Sequence, residues 1–220
     1  MTYQEGLSLT GPGWAGLSEE VKLEALQAIE NHMALEGGRL PCPVRGEFLY
    51  TGIDGIVIGT YDPGKRTIYI NSSQFDGEAK YGKTPEALVT ACLHEGRHAY
   101  QHQVINGMVK HDNAQEAEEW KENLSPGRYI SFRQNPRAYY SQPVEADARS
   151  FAEARYQQMT AERERIITSE QIHENPAKQI FMEQMNGRGR GEADRAADYR
   201  SSEDRAWQDM NQTAGQGRSL

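Results

Sequence analysis

A chain of 220 residues, 37% of them hydrophobic, has room for one domain with a substantial core and an appendage, and two full domains are not expected. Its net charge of −8 argues against a broad nucleic-acid footprint, which needs clustered cations to displace phosphate counterions. No apolar run is long enough to cross a bilayer, and "MTYQEGLSLTGPGWAG" lacks a basic segment leading into an apolar one, so neither a membrane span nor a signal peptide is expected.

The expected location is the cytoplasm, or outside it through a dedicated secretion system. Two cysteines, Cys42 and Cys92, cannot build a disulfide framework and neither belongs to a CxxC pair. Cys92 reads as a small buried thiol within a helix, and a reducing compartment fits.

In chain order, the first expected helix covers 18 to 36, where Val21, Leu23, Leu26, Ile29, Met33 and Leu35 recur at mostly three-to-four-residue spacing. Ser18 caps it and Gly37-Gly38 stop it. From Pro43 the period changes. "GEFLYTGIDGIVIGTYDPGKRTIYINSS" alternates β-branched and aromatic residues around the turn formers Asp54-Gly55 and Asp62-Pro63-Gly64, which predicts antiparallel strands near 47 to 52, 55 to 61 and 66 to 71.

Thr84, Pro85 and Glu86 form a strong helix start, and that helix runs to about Ile105 before Asn106-Gly107. A polar helix around Trp120 follows at about 113 to 124, then an irregular connection through "YISFRQNPRAYYSQ". Pro143 opens a further helix that continues to about 165. One more short helix is expected at 177 to 185. The remainder, rich in Gly, Arg, Asp and Ser with Trp207 as its one large apolar group, reads as a polar tail. The expected organisation is an α+β domain over 14 to 175, mainly helical with a small antiparallel sheet, and an appendage over 176 to 220.

The chemistry concentrates in "ALVTACLHEGRHAYQHQ". His94 and His98 are i and i+4, so both imidazoles leave one helix face about a turn apart and can share a tetrahedral metal. With Glu95 they spell HExxH, in which two neutral histidines hold Zn²⁺ and the glutamate takes a proton from the water that the metal activates. Ala87, Leu88 and Ala91 share their stripe, which puts the pair on the core-facing side, where a metal would satisfy them. The competing reading is two core histidines satisfied by hydrogen bonds.

A catalytic zinc needs a third protein ligand and an open position. His102 continues the i+4 series but stands two turns, about 12 Å of rise, from His94, too far for a rigid helix to wrap one ion. It is expected to pack or to touch substrate. Glu145 and Asp147 in "PVEADARSFA" are the better candidates, flanking the buried face of their helix on either side, and periodicity does not choose between them.

"HEGRHAYQ" followed by "QPVEADARSFAE" resembles the zincin-type metallopeptidases whose third ligand is a downstream helical glutamate, and more narrowly the toxin-type and mobile-element zincin domains of bacteria. The resemblance covers about 45 to 160. It implies a zincin-like fold, Zn²⁺ held by His94, His98 and Glu145, and Glu95 as general base. In better-known relatives an aspartate follows the glutamate ligand by four residues; Arg149 stands there in this chain. Asp147 then either orients a ligand histidine or, with the register shifted, binds the metal itself.

The resemblance also implies a sheet over the active-site helix whose edge strand pairs with an extended peptide, and "TIYINSSQF" at 67 to 75 is the expected edge. Tyr139, Tyr140 and Arg97 are candidate donors to the oxygen that becomes negative during peptide hydrolysis. Protein or peptide substrates and an inhibitor or immunity partner follow for an effector or toxin domain. Two other readings stand beside the zinc endopeptidase: a catalytically inactive zincin-fold binding module of a phage or mobile element, and an interaction protein whose histidines are incidental.

Overall fold

The computed structural model describes residues 1–50 and 56–173. Its order is α1 (Tyr3–Leu9), α2 (Glu19–Glu36), β1 (Val44–Glu47), β2 (Gly59–Asp62), β3 (Thr67–Asn71), α3 (Pro85–Ile105), α4 (Ala114–Asn123), α5 (Pro136–Ser141) and α6 (Pro143–His173). The chain is thus α+β, six helices with one three-stranded sheet among the described residues. The helix expected at 177 to 185 and the tail with Trp207 lie outside them. No helix among the described residues is long and apolar enough to cross a membrane.

Local sequence explains most of the helices. Ser18 accepts a hydrogen bond from the Val21 amide and starts α2 as expected. Two helices escaped the sequence reading because each is under two turns long, too short for periodicity to show. In α1 the reciprocal bonds Glu5 N–H to Thr2 Oγ1 and Thr2 N–H to Glu5 Oε2 form a capping box. In α5 the Asn135 side chain accepts from the Ala138 amide and Pro136 opens the first turn. Leu7 of α1 is fully buried, and the first of the chain's two compact units spans Met1–Ile166.

The sheet is mixed, not antiparallel. Asp62-Pro63-Gly64 makes the expected turn, with the Lys65 amide donating to Asp62 Oδ1, and pairs β2 with β3 as an antiparallel hairpin in the register Gly59 to Ile70. β1 joins the other side of β3 in parallel, Val44 opposite Ile68. The order is therefore β1-β3-β2. The first strand, expected near 47 to 52, runs Val44–Glu47, with Phe48 and Tyr50 exposed after it and 51 and 52 outside the described residues. "TIYIN", expected at the edge, is central instead: Ile68 and Ile70 are both fully buried, and the edges are β1 and β2.

The core joins Leu26, Ile29 and Met33 of α2, Ile68 and Ile70 of β3, Leu88, Val89 and Leu93 of α3, and Ala152 and Met159 of α6. Each large apolar side chain so buried contributes about 1.5–3 kcal/mol. Leu35, counted in the first apolar stripe, is 79% exposed. Cys42 and Cys92 are free and buried, and burial holds both thiols above their ordinary pKa, the Cys42 thiol at about 11. Such thiols are poor nucleophiles.

One polar contact within this core fixes the face of α3. Arg39 donates two bonds of 2.6 Å to Glu30, whose Oε1 also accepts the Cys42 amide, and neither charged side chain is more than 3% exposed. The pair lies directly against Gly96, where a Cβ would stand 2.8 Å from Glu30 Oε2 and 3.0 Å from Arg39 Nη2. Only glycine lets α3 settle on this ion pair. Arg39→Ala strands a buried carboxylate and is expected to cost about 3–5 kcal/mol, read from the urea unfolding midpoint; a loss below about 1 kcal/mol would contradict this account.

Candidate metal centre

His94 and His98 face each other on α3 with their Nε2 atoms 3.1 Å apart. Pro143 starts α6 so that its third residue, Glu145, enters between them: Oε2 is 3.3 Å from His94 Nε2 and Oε1 is 3.5 Å from His98 Nε2. Bonds of about 2.0–2.1 Å to a tetrahedral zinc put neighbouring donors about 3.3 Å apart, close to the separations of His94 Nε2 from His98 Nε2 and from Glu145 Oε2, and one donor atom from each of the three residues lies within 4.8 Å of the others. The histidines lie beside the fully buried stripe of α3 rather than on it, their side chains 21% and 16% exposed.

Glu145 is the buried member of the group. The residue is 2% exposed, and Oε2 is buried with no hydrogen-bond partner. Leaving such an oxygen unsatisfied in the interior is costly, and a cation in front of it removes that cost. Burial opposes ionisation of this carboxyl, yet the facing imidazoles and the Tyr129 hydroxyl outweigh it and hold the pKa well below the carboxylate range. For His98, burial works against charge but the Glu145 and Glu95 carboxylates prevail and raise its pKa to about 9. His94, His98 and Glu145 together form a group that could hold a metal ion.

Asp147 is not part of that group. Its carboxylate accepts two bonds from Arg97, Nε to Oδ2 at 2.8 Å and Nη2 to Oδ1 at 3.0 Å, and a third from Gln101 Nε2 at 2.7 Å. Two residues on from Glu145, it meets α3 through Arg97 and Gln101 instead of through the histidines. Arg97 is committed there too, its guanidinium stacked among Tyr100, Trp120 and Phe151 at 4.5–5.2 Å. Neither side chain lines the cavity beside the histidines, so Arg97 is placed as structural support and not as a donor to substrate.

That cavity, about 440 Å³, opens between β2, α3 and α5, with Gly59, Thr60, Glu95, Tyr129, Tyr139 and Glu145 on its walls. Glu95 makes no hydrogen bond to any of the described residues. β2 comes close here because Gly59 has no side chain: a Cβ would stand 3.2 Å from Glu95 Cγ. Tyr139 borders the cavity, whereas Tyr140 does not; it is half-exposed, with Arg149 5.3 Å from its ring. His102 also lines the cavity and packs on Tyr61, outside the ligand group. Beyond His94 a second cleft, about 900 Å³, continues along α3 and α6.

Two residues that the sequence reading passed over belong here. Tyr129 donates its hydroxyl to Glu145 Oε1 at 2.6 Å, although it lies in irregular chain with no spacing that marks it. Gln101 is fully buried, with Oε1 2.9 Å from His98 Nδ1. Its i+3 spacing from His98 is the signal that could have found it.

No protein-family model matches the chain, and no match to it was found among curated proteins or among solved structures.

With its pKa near 9, His98 carries a proton at pH 7 in the metal-free protein, and a metal must displace it. Metal uptake at pH 7 is therefore expected to release about one proton per ion, and affinity to rise with pH until about 9. Calorimetry in buffers of different ionisation enthalpy measures this release; binding without proton release would contradict the geometry.

Proposed function

We propose that this protein is a zinc-dependent peptidase with a zincin-like arrangement, hydrolysing internal peptide bonds with Glu95 as general base. The observation that carries the reading is the convergence of His94, His98 and Glu145, one donor atom of each within 4.8 Å of the others, beside a cavity whose wall includes Glu95. Two histidines and one carboxylate are a donor set suited to catalytic zinc, which keeps a fourth position open. When bound, that ion would polarise a carbonyl and lower the pKa of its water to about 7.

The remaining steps fall to the chain itself. Glu95, with a carboxylate free of hydrogen bonds to the described residues, takes the proton of the attacking water and passes it to the departing amine nitrogen. The Tyr129 hydroxyl holds Glu145 Oε1, leaving Oε2 to the ion. Burial and the Glu145 charge push the Tyr139 pKa far up, so its phenol stays protonated and can donate to the oxygen that turns negative. Among the described residues β2 pairs only with β3, and its outer edge borders the cavity beside Glu95, placed to pair with an extended peptide. The motif resemblance adds a bacterial effector or toxin setting, with an inhibitor or immunity protein as partner.

The test couples metal content with turnover. Wild type is expected to hold one zinc per chain by atomic emission, His94→Ala and Glu145→Ala to lose it, and Glu95→Gln to keep it. Glu95→Gln should also lose at least about a hundredfold in cleavage of an unfolded protein substrate. Equal cleavage by wild type and Glu95→Gln, or a wild type that binds no zinc, overturns the proposal. A zinc-loaded wild type that cleaves no member of a broad peptide library overturns the peptidase and favours a binding module.

A further inference from the structure

Gln101 sits where α3 and α6 meet, and every polar atom of its amide is engaged. Nε2 donates to the Val144 carbonyl at 3.0 Å and to Asp147 Oδ2 at 2.7 Å, and Oε1 faces His98 Nδ1 at 2.9 Å. The two partners of Nε2 are a carbonyl oxygen and a carboxylate oxygen, which can only accept. The amide therefore has one permitted orientation, since a flipped Gln101 would aim its oxygen at two acceptors. Asp147 cannot turn away to relax this, because Arg97 grips both of its oxygens.

We propose that Gln101 is a positioning residue that selects the metal-binding tautomer of His98, with the Arg97–Asp147 pair locking the amide in place. With Oε1 fixed as an acceptor, His98 Nδ1 must carry a proton, and the lone pair is left on Nε2, the atom that faces His94 and Glu145. The more usual support is a carboxylate or backbone carbonyl directly on the imidazole. Here a neutral amide stands between, so the Asp147 charge is spent on Arg97 and Gln101 and is kept off the ligand. His94 has no such anchor among the described residues, so the preorganisation is carried by one histidine of the pair.

This inference rests on the metal reading proposed above, and its test separates the two. Gln101→Met keeps the shape and removes the acceptor for Nδ1–H. Zinc affinity, read by competition with a chelator of known strength, is expected to fall about 10- to 100-fold in Gln101→Met. In zinc-loaded wild type, long-range proton–nitrogen spectra are expected to show His98 bound through Nε2, with an Nδ1 proton that exchanges more slowly than the corresponding proton of His94. That spectrum needs no variant and so stands even if a substitution prevents folding. A wild type that takes up no zinc overturns the metal reading itself. A zinc-loaded wild type with His98 bound through Nδ1, or a folded Gln101→Met with wild-type affinity, overturns the role of Gln101 alone.

Discussion

The site depends on a carboxylate that the fold has removed from water. Glu145 enters the interior at the start of a helix, between two imidazoles, and one of its oxygens finds no hydrogen bond there. An isolated ionised carboxylate in such a place would cost several kcal/mol, and the interior offers only a few remedies: a proton shared with a histidine, a hydroxyl, or a cation. The first two are visible in His98 and Tyr129. The third fits the remaining oxygen and the spacing of the donors.

Charge is handled differently on the two sides of α3. Behind the helix, Glu30 and Arg39 neutralise each other in a bidentate pair against Gly96, so that nothing there competes for a metal. Beside the site, Arg97 and Asp147 form a second pair enclosed by aromatic rings, and Gln101 carries its orientation to His98. Three acidic side chains thus meet the same helix within two turns, and only Glu145 is left facing the imidazole pair. The partners decide this. A guanidinium satisfies a carboxylate in place and keeps its charge, whereas an imidazole facing a carboxylate can give up its proton in exchange for a cation.

The sheet contributes access. β3 is spent in the core, bonded on both sides, and cannot receive a further strand. β2 is short and half-buried, and it approaches Glu95 through Gly59; among the described residues it pairs only with β3, and it borders the cavity. With the larger cleft beyond His94, the histidine pair stands between two openings.

The spacing of His94 and His98 declared their shared face before any fold was known, because helical periodicity is local and 3.6 residues per turn suffices to compute it. The starts of α2 and α3, the turn at Asp62-Pro63-Gly64 and the amphipathic stripe through Leu26, Ile29 and Met33 were legible for the same reason. Direction and pairing of strands were not: β1 joins β3 in parallel through contacts more than twenty residues apart, which no local pattern encodes. Nor could periodicity choose between Glu145 and Asp147, which flank one buried face from opposite sides. Tertiary packing decided it, because Arg97 reaches Asp147 while the histidines reach Glu145, and the same packing brought in Tyr129 from unstructured chain. The sequence by itself determined which residues could ligate; only the crossing of α3 and α6 determined which of them meet.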